Sequence, residues 1–131
     1  VSGLNPKQAG NMKNTVHPNR AFISSEDVEG CVVYDGSGNA IGEVDHLMIE
    51  KRSGRVVYAV ISFGGFLGLG HSHFPLPWAK LSYDPAAGGF ITGVTAEQLK
   101  DSPAFGDDSW DNRKWEDDVH RHYQVPPYWG H

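Results

Sequence analysis

Apolar residues in the centre of the chain form short runs that glycine-containing turns separate. Three runs, at 31–34, 41–49 and 55–62, are parted by turns at 35–39 and 51–54. No helical period of apolar residues lies between them, and short strands with regular turns are typical of small β domains. The pattern predicts a mainly β fold, as a small antiparallel barrel or sandwich.

Two of the runs predict details of the sheet. In a regular strand, Val44 of the second run would point to one face of the sheet, whereas Leu47 and Ile49 would point to the other. All three can face the core only if an extra residue interrupts the strand near 45–46, so the spacing predicts a β-bulge. The third run is apolar at every position over 56–61, so both faces of this strand would be apolar. This predicts a central strand that is covered on both faces.

The residues after the third run predict an edge strand. In a strand over 71–76, successive side chains alternate between the two faces. Phe74 and Leu76 would point to the inner face and Pro75 to the outer face. Proline cannot donate to a ladder, so Pro75 indicates an edge position. We expect Trp78, in the turn that follows, to pack inward.

Short helical turns are predicted at both ends of this β block. Ser24 or Ser25 can cap the first turn, and we expect residues 22–23 before it to enter the core as an opening strand. A last hairpin at 81–92 precedes a second helical turn, which a capping box at 95–98 begins.

The C-terminal part of the chain predicts one longer helix. It spans roughly 109–123, can be capped by Asp108 or Ser109, and ends before Pro126. Residues at a spacing of four give it one apolar stripe, made of Trp115, Val119 and Tyr123. Such a stripe must be buried, and packing on the same chain is favoured over packing on a partner chain.

Composition limits the classes of function. The chain has 131 residues, enough for one domain, and a net charge of −5, which argues against the basic face that nucleic-acid binding needs. No apolar run is long enough to cross a bilayer.

Residues 1–20 lack the apolar core of a signal peptide, and the single cysteine, Cys31, suits a reducing compartment. We therefore expect a cytoplasmic protein.

Three segments differ in composition. Residues 1–21 are predicted to form a flexible arm that is basic, because it carries two lysines and one arginine without an acid. Residues 22–100 hold the β domain. Residues 101–131 form an acidic, aromatic extension with one helix and three of the four tryptophans.

The ordered motifs of the β block resemble those of a known family. They comprise Gly30, Val33-Tyr34-Asp35, Gly38, Ile41-Gly42, Val44, Leu47, Ile49, the run 54–60, the glycine loop 64–70 and Leu76-Pro77-Trp78. This set resembles the PRC-barrel family, named for the β-barrel of the photosynthetic reaction-centre H subunit, over roughly residues 22–100.

The resemblance implies a small antiparallel β-barrel that works by binding partners. The family includes the cytoplasmic barrel of the H subunit, a domain of a ribosome-maturation factor and many stand-alone bacterial proteins. Its members share no catalytic residue set, so none is carried over to this chain. The sequence departs from the family at 71–73 and at Pro75, and it lacks the membrane helix of the H subunit.

His71 and His73 are the candidates for metal binding. Residues i and i+2 share one face of a strand, so both imidazoles could bind one zinc or nickel ion. Two histidines do not complete a tetrahedral site, and exposed polar residues on an edge strand are the favoured interpretation. The glycine loop matches no phosphate-binding motif, and no Gly-x-Ser-x-Gly motif occurs. We expect no catalysis and no cofactor.

Apolar residues outside the predicted core are the candidates for partner contact. They are Phe66, Leu67 and Leu69 of the glycine loop, Trp115 of the helix, and Tyr128 and Trp129 near the end of the chain. Our first hypothesis is a non-enzymatic adaptor that binds proteins and forms a homodimer. The alternatives are a small-ligand or metal-binding module that uses His71 and His73, and an accessory role in RNA processing.

Overall fold

The computed structural model of the chain describes residues 21–63 and 72–129. The elements in chain order are helix α1 (Ser25–Val28), strands β1 (Val32–Tyr34), β2 (Ala40–Ile49), β3 (Val56–Phe63) and β4 (Ser72–Pro77), a 3₁₀ turn (Trp78–Lys80), strands β5 (Ser82–Asp84) and β6 (Gly89–Ile91), helix α2 (Ala96–Lys100), a second 3₁₀ turn (Asp107–Asp111) and helix α3 (Arg113–His122). The fold is mostly β, and the predicted C-terminal helix is present.

The six strands form one mixed sheet in the order β4-β3-β2-β1-β6-β5. Every neighbouring pair is antiparallel except β1 and β6, which run parallel. The prediction of a wholly antiparallel sheet is therefore wrong for this pair. β4 and β5 end the ladder without pairing with each other among the described strands, so closure into the predicted barrel is not confirmed.

The chain nevertheless brings the two edge strands near each other. Only residues 78–81 connect β4 to β5, although these strands lie at opposite ends of the sheet. The five Cα–Cα steps from Pro77 to Ser82 span at most about 18 Å, so the sheet must curl for the connection to reach. Trp78 lies at this corner, half-buried, with its ring 5.5 Å from that of Phe90 in an edge-to-face arrangement.

The predicted bulge in β2 is confirmed, and a second irregularity follows it. Pairing shifts from Val44 opposite Ile61 to His46 opposite Val60, which leaves Asp45 without an opposing residue. A further shift occurs between Met48 and Ile49. The expectation that Ile49 faces the core is wrong, because beyond this second shift 55% of its surface is exposed.

β3 is the central strand that the apolar run predicted. Four consecutive residues, Tyr58 to Ile61, are each at most 3% exposed. Successive side chains of a strand point to opposite faces, so both faces of β3 are covered. Tyr58 contacts the rings of Trp110 and Trp115, which shows that the C-terminal segment covers one of these faces.

β4 is an edge strand, as Pro75 indicated. Leu76 is buried and Phe74 partly buried, as the alternation predicted. Pro75 was expected on the outer side but is buried. Helix α3 packs against β4, and this contact accounts for the difference.

The helical segments agree with the sequence except at two places. Ser24 caps α1, and Thr95 and Gln98 form the predicted capping box of α2. Phe22 is 83% exposed and lies in no strand, so the predicted opening strand is wrong.

The predicted helix over 109–123 is divided in two at Asn112. The Asn112 side chain accepts hydrogen bonds from the backbone N–H groups of Lys114 and Trp115, at 3.0 and 3.2 Å, and so begins a new helix. The cap is therefore Asn112, rather than Asp108 or Ser109. None of the helices in the described part of the chain is long and apolar enough to cross a membrane.

Gly42 in β2 is required by close backbone contact. A Cβ atom at this position would lie 2.7 Å from the Ser62 carbonyl oxygen and 2.9 Å from Cδ1 of Phe63. We expect Gly42→Ala to lower the free energy of unfolding by about 1–3 kcal/mol, because β3 cannot move aside freely. Urea denaturation measures the change.

Gly36→Ala is the matched control for this substitution. No atom lies within 4 Å of a Cβ built at Gly36, so we expect a change within about 0.5 kcal/mol. Equal denaturation midpoints for the two variants would show that the strand contact at Gly42 does not constrain the sheet.

Candidate functional site

A buried carboxylate joins the C-terminal segment to the sheet. Glu116 of α3 is 7% exposed, and its Oε1 accepts hydrogen bonds from the hydroxyls of Tyr58 in β3, at 2.8 Å, and of Tyr128, at 2.6 Å. A buried charge needs partners of this kind to offset its lost hydration. The three side chains therefore connect β3, α3 and the residues that follow α3.

The second carboxylate oxygen faces a cation. Nε of Arg113 lies 3.5 Å from Oε2 of Glu116, one helical turn away. The guanidinium of Arg113 also lies 3.8 Å from the ring centroid of Trp129, which is favourable cation–π geometry. The ring of Trp129 lies 5.1 Å from that of His120. The final turn of the described chain is thus held by both charge and ring contacts.

The two tyrosines act as donors over the whole physiological range. Burial, with the Glu116 carboxylate as the second cause, raises the pKa of Tyr128 to about 12. The same two causes raise the pKa of Tyr58 well above its ordinary value. Both phenols therefore keep their protons, and the hydrogen bonds to Glu116 persist until strongly alkaline pH.

Trp115 is part of the packed interior. It is 6% exposed, and its ring contacts those of Tyr58, Phe105 and Trp110 at centroid distances of 5.9, 5.7 and 5.4 Å. Val119 and Tyr123 of the predicted stripe are also buried. The stripe packs on its own chain, and Trp115 presents little surface to a partner. Tyr128 and Trp129 are half-buried, and partner contact through them stays a prediction.

An open cleft of about 130 Å³ borders this network. Its apolar lining comes from both sides, with Met48, Ile49 and Val57 on the sheet and Trp110 on the C-terminal segment. Tyr58, Tyr128, Glu50 and Glu116 complete the lining. We call Met48, Ile49, Val57 and Trp110 the Ile49 surface, because Ile49 is the most exposed large apolar side chain among them.

The predicted metal pair is only partly visible. His71 lies outside the described residues, as do Phe66, Leu67 and Leu69 of the glycine loop. Nε2 of His73 lies 3.6 Å from Oδ1 of Asp45, whose Oδ2 lies 2.6 Å from Nδ1 of His46. The hydrogen bond with His46, and then the charges of both histidines, lower the pKa of Asp45.

These groups are solvent-exposed and do not form a recognisable metal centre. The side chains of His46, Asp45 and His73 are each close to half exposed. Within the ranges 21–63 and 72–129, no three His, Cys, Asp or Glu residues are grouped to hold a metal ion. Metal binding through His71 and His73 stays a prediction.

The sequence patterns do not indicate Glu116, Tyr58 and Ile49 as parts of a site. Glu116 follows Trp115 directly and seemed to belong to an acidic helix surface. The one signal in the sequence is that Glu116 and His120 directly follow two residues of the apolar stripe, Trp115 and Val119. Ile49 was missed because the second register shift in β2 has no pattern in the sequence.

A comparison with protein families identifies the β block. A family model described as PRC-barrel domain matches residues 21–99. The chain belongs to the PRC-barrel family. The match ends within α2, so Glu116 and Tyr128, two of the three hydrogen-bonded side chains, lie beyond the matched residues. A search of curated proteins finds no significant match.

The hydrogen bond from Tyr58 to Glu116 should stabilise the whole chain. We expect Tyr58→Phe to lower the free energy of unfolding by about 1.5–3 kcal/mol, since it removes one donor from a buried carboxylate. Chemical denaturation followed by tryptophan fluorescence measures this change, because Trp110 and Trp115 lie beside the network.

Tyr34→Phe serves as the control. The Tyr34 hydroxyl makes no hydrogen bond with any described residue, and we expect a change within about 0.5 kcal/mol. A Tyr58→Phe variant as stable as the Tyr34→Phe variant would contradict a stabilising role for the network.

Proposed function

We propose that this chain is a non-enzymatic PRC-barrel adaptor that binds other proteins in the cytoplasm. The observation that carries the proposal is the Ile49 surface. A large apolar side chain that is 55% exposed lies beside a cleft with an apolar lining and two carboxylates. Contiguous exposed apolar surface with a polar rim is typical of protein-interaction sites.

The geometry around this surface favours binding without rearrangement. Trp110 contacts the rings of Tyr58, Phe105 and Trp115, and Tyr128 is held by its hydrogen bond to Glu116. A surface that is already ordered loses less conformational entropy when a partner binds. Aromatic residues in such positions often supply much of the binding energy.

The surroundings of the cleft suggest a protein partner more than a nucleic acid. The chain carries a net charge of −5, and the cleft itself is lined by Glu50 and Glu116. Both features oppose the phosphate contacts on which RNA binding depends. The accessory role in RNA processing is therefore the weaker alternative, and the proposal requires no cofactor.

Substitution at Ile49 tests the adaptor role. The tagged full chain is used to capture partners from its native cell, and quantitative mass spectrometry compares the recovered proteins. We expect Ile49→Glu to reduce recovery of specific partners about tenfold, because a charge replaces the exposed apolar centre of the site. Circular dichroism and thermal unfolding confirm that the variant is folded.

Ala87→Glu introduces the same side chain at an exposed turn between β5 and β6 that does not line the cleft. This control should recover the same partners as the unaltered chain. Identical recovery with Ile49→Glu would show that the Ile49 surface does not bind partners and would remove the main support for the proposal.

We also propose that the adaptor is a homodimer. Phe66, Leu67 and Leu69 were predicted as an exposed apolar group on glycine hinges, and Tyr128 and Trp129 offer half-buried rings at the other candidate interface. Two-fold pairing is the commonest way to cover such groups.

Sedimentation velocity tests the dimer and locates its interface. We expect the full chain to sediment with twice its 14.4 kDa mass. Phe66→Ser/Leu69→Ser should give a monomer if the glycine loop forms the interface, and Trp129→Ala should do so if the end of the chain forms it. A full chain that stays monomeric at the highest concentration tested would exclude the homodimer.

A further inference from the structure

A second cleft lies on the other side of Tyr128. It is an open cleft of about 170 Å³, bounded by β3, by the 3₁₀ turn after β4 and by residues 125–128. Most of its walls are apolar and consist of Val57, Pro77, Trp78, Val125, Pro127 and Tyr128. Sites for small organic molecules have this kind of lining, with a few polar groups that fix the orientation of the ligand.

His120 supplies one such polar group. It is 4% exposed, it lines the cleft, and its Nδ1 lies 2.7 Å from the backbone carbonyl oxygen of Glu116. A carbonyl oxygen can only accept, so Nδ1 must donate its proton there. In the neutral ring Nε2 then carries a lone pair on the opposite edge, which faces away from the backbone of α3.

Nothing in the described part of the chain donates to that nitrogen. The remaining contacts of the imidazole are with the rings of Tyr58, Tyr128 and Trp129. Among the described residues, the fully buried side-chain nitrogen and oxygen atoms that lack a hydrogen-bond partner are Nε1 of Trp115 and the hydroxyl oxygen of Tyr123. Nε2 of His120 is not one of them, so this acceptor is accessible and can exchange a water molecule for a ligand donor. The arrangement suits a ligand that brings its own hydroxyl or N–H group into the cleft.

Arg55 supplies the second polar group. It lies at the rim of the cleft and is exposed. Arg113 and Arg121 each pair with a carboxylate on α3, whereas Arg55 pairs with none among residues 21–63 and 72–129. Its guanidinium is therefore available to a carboxylate that arrives with a ligand.

We propose that this cleft binds a small aromatic acid, whose hydroxyl or N–H group donates to Nε2 of His120 and whose carboxylate faces Arg55. The aromatic body packs between Trp78 and the wall formed by Val125 and Tyr128. An amine of the same shape would place its positive charge beside Arg55, which disfavours it. The inference concerns a different cleft from the Ile49 surface and goes beyond the adaptor role.

Three related probes test the proposal on the full chain. They are 4-hydroxyphenylacetate, which has both polar groups, phenylacetate, which lacks the donor, and tyramine, which carries an ammonium in place of the carboxylate. Nuclear magnetic resonance of the His120 ring nitrogens reports hydrogen bonding at Nε2 directly. We expect saturable binding of 4-hydroxyphenylacetate with a shift of the Nε2 resonance.

The two other probes should bind more weakly. Loss of one hydrogen bond to a neutral acceptor should weaken phenylacetate about three- to tenfold. Tyramine should bind at least about fivefold more weakly because of its charge. This comparison tests the role of His120 without altering the buried ring, whose substitution could unfold the chain.

Arginine substitutions supply the matched pair of variants. Arg55→Gln should weaken 4-hydroxyphenylacetate about fivefold and reduce its advantage over tyramine. Arg52→Gln removes the same charge from an exposed position in the same turn that does not line the cleft, and it should change the affinity less than about twofold.

Three results would overturn the proposal. The first is the absence of a saturable change at His120 with 4-hydroxyphenylacetate. The second is equal affinity for phenylacetate, which would show that Nε2 accepts no hydrogen bond from the ligand. The third is an equal effect of Arg52→Gln and Arg55→Gln, which would show that binding depends only on the general surface charge. None of these results bears on partner capture through Ile49.

Discussion

The carboxylate of Glu116 is the interaction on which the arrangement of this chain most depends. It is buried where α3 crosses β3, and there it accepts hydrogen bonds from Tyr58 and Tyr128. Without these donors a charge in this position would oppose the packing of α3 on the sheet. With them it fixes the end of the chain at a defined place. Both clefts share Val57 and Tyr128 in their linings, so both owe their shape to this attachment.

The sequence predicted those parts of the fold that local patterns determine. The bulge near Asp45, the central strand, the edge position of β4 and both short helical caps follow from parity, proline chemistry and capping. The parallel pairing of β1 with β6 was not predicted, because it joins strands that are distant in sequence and has no local pattern. The apolar residues keep a helical spacing across Asn112, so the sequence predicted one continuous helix. The Asn112 side chain instead binds backbone N–H groups and begins a new helix there.

The candidate sites were less accessible to sequence reasoning than the fold. Aromatic residues of the C-terminal segment were recognised, but their distribution between interior and surface depends on long-range contacts. Trp115 lies inside, whereas Trp129 lies against Arg113 and His120. The polar residues Glu116 and His120 lie on a helix rich in charge, and only tertiary packing distinguishes them from their solvated neighbours. Glu116, His120 and Trp129 all lie in the segment beyond the residues that match the family.

The prolines of β4 have a consequence for how the molecule can associate. Pro75 and Pro77 lie two residues apart, so their nitrogens face the same edge of the strand, and neither carries a proton. The ladder to β3 uses the other edge. A strand from another molecule that approached the outer edge of β4 would find carbonyl oxygens there but too few donors to form a regular ladder. The backbone of β4 therefore opposes the addition of further strands at this edge, which is the way in which sheets extend into fibrils.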